Sequence, residues 1–141
     1  MKYFNRRQMI YKSLSRRESK IDIVQASFEP DQPGPCLPQR ERSKIENMAK
    51  KILAARKREA SVILAFGAHT IKNGLGRILA AMIENGWVTH LATNGAGVIH
   101  DWEFAYHGKS SEDVRTNAAR GEFGAWEETG LYINLALAAG A

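Results

Sequence analysis

The chain holds a single cysteine, Cys36, so it has no internal disulfide framework and no thiolate cluster for a metal. Proline is almost as scarce: Pro30, Pro33, Pro35 and Pro38 fall in one stretch, and the rest of the chain has none to break a helix or strand. No apolar run approaches the roughly 20 residues of a membrane-spanning helix. The N-terminal segment is basic but lacks the apolar centre of a secretory signal. Together these absences favour a cytoplasmic protein with no membrane partner. Aromatic interleaving among the basic residues of the front half is slight (Tyr3, Phe4, Tyr11), which argues against a nucleic-acid surface.

What is present suits one ordinary domain. The 141 residues are 44% hydrophobic and 25% charged, the balance of a water-soluble globular chain able to bury one core. The net charge of +5 is uneven: residues 1–60 carry a balance of +8 and residues 61–141 one of −3. The basic residues are spread along an arm and one helix, so they read as a solvated surface or one that packs on another subunit.

Residues 1–42 read as an arm and linker, with a short strand at Ile21-Asp22-Ile23-Val24. Residues 43–141 read as an α/β domain. Ser43-Lys44-Ile45-Glu46 has the form of a capping box, and Ile45, Met48, Ala49, Ile52 and Leu53 follow as one apolar stripe, predicting a helix over 43–58. The runs 61–66 and 87–92 read as strands buried on both faces, as in a parallel sheet. Between them Ile71, Leu75, Ile78, Leu79, Met82 and Ile83 mark a second helix, ended by Asn85-Gly86. Beyond Gly97 three helices are expected: one over 98–106, one from Ser110 or Ser111, and one from Phe123 through Leu137.

The chemistry concentrates where each strand turns into its helix. Phe66-Gly67-Ala68-His69-Thr70-Ile71-Lys72-Asn73-Gly74 follows the first strand, and Thr93-Asn94-Gly95-Ala96-Gly97-Val98-Ile99-His100-Asp101 follows the second. Adjacent strands of an open parallel sheet bind ligands at such ends. Unpaired N–H groups at a helix start suit a phosphate, and Gly95 and Gly97 admit a close approach. Neither turn is a GxGxxG fingerprint or a Walker A loop. Candidate ligand-binding residues are His69, Thr70, Asn73, Gly74, Thr93, Asn94, Gly95, Ala96 and Gly97; candidate catalytic residues are His100, Asp101 and Glu103. His100, Glu103 and His107 share a helical face, which leaves a metal open as an alternative. His90 reads as structural. Glu127 and Glu128, beside Trp126, read as a solvated face or a cation-binding carboxylate.

Over about residues 61–101 the chain resembles the deoxyhypusine synthase family. There a strand runs into a Thr-Ser-Asn…Ser-Gly turn, and a later strand runs into Thr-Thr-Ala-Gly-Gly-Val-Glu-Glu-Asp. Gly74, Thr93, Gly97, Val98 and Asp101 match, and the interval from Gly74 to Thr93 fits without a gap. The resemblance implies a Rossmann-like sheet holding NAD near these turns, in a homo-oligomer with sites at subunit interfaces. It also implies a transferase reaction that moves an aminobutyl group from a polyamine to a lysine. Ile99 and His100 stand where the family has acidic residues, His69 replaces an Asn, and the family's Gly-Trp-Gly-Lys segment has no counterpart in these residues. The expectation is a truncated or divergent member.

Two further readings rest on the same residues. One is a hydrolase or lyase acting on a small anionic metabolite, with His69, His100 and Glu103 in acid–base or metal-assisted roles. The other is a non-catalytic assembly module, prompted by the apolar run over 135–141.

Overall fold

The computed structural model describes residue 3 and residues 5–141 of a mixed α/β chain. Phe4, one of the arm's few aromatics, lies outside the described residues. Among the described residues no helix is long and apolar enough to cross a membrane. The chain divides into two compact units: Ala26–Val98, and residues up to Gln25 together with Ile99–Ala141. The boundary expected at residue 42 falls instead inside a helix.

In the central unit, α2 (Gln39–Lys57) is followed by β2 (Ile63–Phe66), α3 (Ala68–Lys72), α4 (Gly76–Glu84) and β3 (His90–Thr93). Strands β2 and β3 pair in parallel, with Ile63 opposite His90 and Phe66 opposite Thr93. Both expected strands are therefore present, each shorter than read. α2 starts four residues ahead of the expected capping box. Pro38, whose fixed φ suits a helix start, stands at its N-cap, and Ser43 lies inside the helix. The second helix is split in two at Asn73-Gly74, where Gly74 takes φ +79. The core of this unit is Ile71, Leu79 and Val88. No residue of α2 is buried, and Ile45, Met48 and Leu53 of its apolar stripe face outward. The expected burial of the strands on both faces is not found: Ile63 and Leu91 of the parallel pair are exposed, because among the described residues no helix or further strand covers them within this unit.

In the outer unit, β1 (Ser19–Asp22) pairs antiparallel with β4 (Lys109–Glu112). The expected strand ends at Asp22, whose carboxylate accepts the N–H of Val24 and turns the chain into α1 (Ile23–Ala26). α5 (Gly95–His107), whose first residues to Val98 belong to the central unit, starts three residues before the expected point, because Asn94 caps it. The helix expected from Ser110 is a strand, since β1 offers it a partner. α6 (Val114–Ala119) begins only after Asp113, whose side chain accepts from the N–H of Thr116. An ion pair with Lys20 of β1 holds the Asp113 carboxyl at about 2, well below the usual range. α7 (Glu127–Gly140) starts four residues later than expected. Gly124 turns the chain at φ +71, and Lys12 bridges to Trp126 just before the helix.

Two glycines are set by packing. A Cβ on Gly74 would lie 1.8 Å from the Ala26 carbonyl oxygen, and one on Gly97 would lie 2.1 Å from Thr93 Oγ1. That Thr93 hydroxyl donates to the Phe66 carbonyl, so it ties the two strand ends together. A Cβ on Gly95 meets nothing within 4 Å. Gly97→Ala is accordingly expected to cost about 1–3 kcal/mol in urea unfolding. Thr93→Ala in the same chain recovers part of that loss, and Gly95→Ala shifts stability by less than about 1 kcal/mol. Equal effects at Gly95 and Gly97 would contradict the packing.

Candidate functional site

The pairing of β2 with β3 places the two strand-to-helix turns at neighbouring carboxyl ends. Gly67 is the N-cap of α3, and Asn94 precedes α5. Asn94 Oδ1 accepts the N–H of Gly97 at 3.0 Å, and the Asn94 carbonyl accepts that of Val98. The first-turn N–H groups of Gly95 and Ala96 are left for a ligand or water. No acidic residue occupies that first turn, so nothing there opposes an anion. His69, Asn73, Thr93, Asn94, Gly95 and Ala96 are exposed, Thr70 is half-buried, and Gly74 and Gly97 are buried. The residues expected to bind a ligand thus divide into an open rim and two packing glycines.

The outer unit contains a buried polar cluster built on α5. Glu103 and Arg17 are both almost fully buried and meet in a two-pronged ion pair, with Arg17 Nη1 and Nη2 each 2.7 Å from one carboxylate oxygen. Ser110 Oγ donates to Glu103 Oε2 at 2.6 Å, and Thr129 Oγ1 donates to Oε1 at 3.0 Å. Each carboxylate oxygen therefore accepts two bonds, which fills the usual capacity of the group. His100 Nδ1 lies 2.7 Å from Ser110 Oγ. The remaining face of Arg17 lies over the Trp126 ring at 5.7 Å, and its Nε and Nη2 donate to Ser19 Oγ.

The placement of Ser110 depends on its neighbour. Ser111 takes φ 68, a left-handed conformation uncommon for a residue with a Cβ. Strand side chains ordinarily alternate between faces, yet Ser110 and Ser111 are both buried. The strained residue breaks the alternation and lets Ser110 face α5.

The expected catalytic residues separate in this arrangement. Glu103 is buried and saturated by its own chain, Asp101 is exposed on α5, and His100 is half-buried at the edge of the cluster. Among the described residues no three His, Cys, Asp or Glu side chains gather to hold a metal, and His100, Glu103 and His107 form no such set. Glu128 has a structural task. Its carboxylate accepts from the Ser13 hydroxyl and the Leu14 N–H, holding the turn Leu14–Arg16 against α7. Arg17, Ser110 and Thr129 were not read from the sequence. Arg17 lies 86 residues from its partner, and the local pattern at Ser110 suits a helix start.

Burial pushes the Glu103 carboxyl up. The bonds from Arg17 and Ser110, the Arg17 charge and the bond from Thr129 outweigh this and hold it below 4.5. Glu128 is also lowered, first by the Ser13 hydroxyl. Burial lowers His107, and the Arg17 charge adds to this against the opposing charge of Glu103. In all three cases the unfolded chain binds protons more readily, so folding stability rises with pH. The stability is fully present above 6.5, declines as His107 titrates below that value, and is lost further as pH falls below 4.5 through the lowered carboxyl values. Urea midpoints are expected to fall steadily from about pH 7 to about pH 3. His107→Gln is expected to flatten the upper part of that slope. A profile flat across this range would contradict the account of the cluster.

Compared with protein-family models, curated proteins and solved structures, the chain matches none.

Proposed function

We propose that the chain is a deoxyhypusine synthase-like protein that binds NAD at the paired turns and uses His100 as an acid–base group on an amine substrate. The observation that carries this reading is the start of α5. Asn94 caps it, Gly95 is open to solvent, and the N–H groups of Gly95 and Ala96 point out of a 13-residue helix. These features fit the pyrophosphate of a dinucleotide. His69, Thr70, Asn73 and Thr93 would complete the rim. Bound NAD supplies a hydride acceptor. Within this chain His100 would take or return the proton at the amine nitrogen, Asp101 would face the positive substrate, and Glu103 would hold His100 through Ser110.

The same reading includes a homo-oligomer with a wider, Rossmann-like sheet. Parallel strands are ordinarily covered on both faces, whereas Ile63 and Leu91 of this pair are exposed. The two lie on opposite faces of the pair, since Leu91 stands beside Leu64 and not beside Ile63; a second copy that covers the Ile63 face would remove that apolar surface from water. Sedimentation is expected to show a species larger than 15.7 kDa, and Ile63→Lys is expected to dissociate it.

A hydrolase or lyase reaction on a small anionic metabolite is the second reading, favoured by the same anion-ready turn and the same His100. Calorimetric titration with NAD separates the two. The first predicts binding that Gly95→Val weakens by at least about tenfold, or 1.4 kcal/mol, in a chain shown by urea unfolding to be folded, since a Cβ at Gly95 meets nothing within 4 Å. No binding at millimolar NAD by the folded chain would remove the cofactor and leave the second.

A further inference from the structure

We propose that Ser110 is a positioning residue that fixes the neutral His100 ring as its Nδ1–H tautomer, making Nε2 the basic nitrogen. A serine hydroxyl has one proton to give. Ser110 Oγ lies 2.6 Å from Glu103 Oε2 and 2.7 Å from His100 Nδ1, so two neighbours compete for it. Glu103 takes two N–H bonds from Arg17 at 2.7 Å and is ionised, so it can only accept. Ser110 therefore donates to Glu103. Toward His100 the hydroxyl can only accept, and Nδ1 must carry a hydrogen.

The opposite order, with Ser110 donating to His100, would leave Glu103 Oε2 without that proton at a contact of 2.6 Å. The alternative of a protonated Glu103 is opposed by the Arg17 guanidinium. Donors from three stretches of chain thus converge on one carboxylate: Arg17, Thr129 and Ser110 directly, and His100 by way of Ser110. The tautomer of a histidine follows from the bond its other nitrogen makes. Ser110 is fully buried, so water does not compete for its hydroxyl.

The use of Nε2 in catalysis rests on the proposed acid–base role of His100, but the tautomer does not. It is measured on the full chain without NAD, so a failed NAD titration leaves it standing. The experiment is a two-bond nitrogen–proton correlation spectrum of the imidazole rings in labelled protein, recorded where the spectrum itself shows the rings to be neutral. His100→Gln identifies the signals among the four histidines. The wild type is expected to favour Nδ1–H by at least about tenfold, a ratio that one buried bond sustains. Ser110→Ala is expected to move the ring toward Nε2–H. An Nε2–H wild type overturns the proposal, as does a folded Ser110→Ala chain that keeps Nδ1–H. Should that variant fail to fold, the wild-type Ser110 hydroxyl proton decides. It is expected as a slowly exchanging resonance close to the Glu103 side chain, and exchange at the solvent rate overturns the assignment.

Discussion

A carboxylate taken out of water loses several kcal/mol of hydration unless its oxygens find donors. Glu103 loses nearly all its contact with solvent, and the outer unit is arranged to supply what it lost. Arg17 comes from the N-terminal segment, Ser110 from β4 and Thr129 from α7, while Glu103 itself belongs to α5. One buried charge pair thus connects four stretches of chain that are distant in sequence. The apolar core beside it is small: Leu14, Phe104, Ala125 and Trp126. Apolar contacts are nondirectional, so the polar cluster is what selects one arrangement of these elements. Removing one partner would leave the other charged and unpaired, which is why the cluster is held or lost as a whole.

The same constraint bears on chemistry. A saturated carboxylate is a poor proton carrier but a firm anchor, and its fixed acceptors dictate which way Ser110 and His100 point. Of the chain Arg17–Glu103–Ser110–His100, His100 is the half-buried member and the other three are buried. The central unit follows a different logic. Its paired turns depend on close backbone approaches at Gly74 and Gly97, and the polar rim around Gly95 stays open.

The α/β class and both parallel strands were legible, because two short, largely apolar runs, each leading into a glycine-bearing turn and a helical stripe, have few other readings. The helical stripes were legible for the same reason, since the 3.6 period is strong over α2 and α4. Boundaries were less so. Pro38 outcompeted Ser43 for the start of α2, and the αL conformation of Gly74 split a helix whose apolar period ran on undisturbed. Strand β4 was read as a helix start because Ser110, Ser111 and Glu112 resemble a cap, and only the distant β1 makes them a strand. His100 and Glu103 stood out as polar groups on one helix. Their separation into a half-buried histidine at the edge of the cluster and a buried anchor was invisible, because it is decided by Arg17, and pairings across such intervals leave no local signal.

The most direct test of the central claim is a double-mutant cycle at the buried pair, with Arg17→Met, Glu103→Leu and both together followed by urea unfolding. Each single change is expected to cost about 3–5 kcal/mol, because it strands a charge, and the double variant is expected to recover most of that loss. Additive losses in the double variant would show that the two side chains act independently, and would contradict the account.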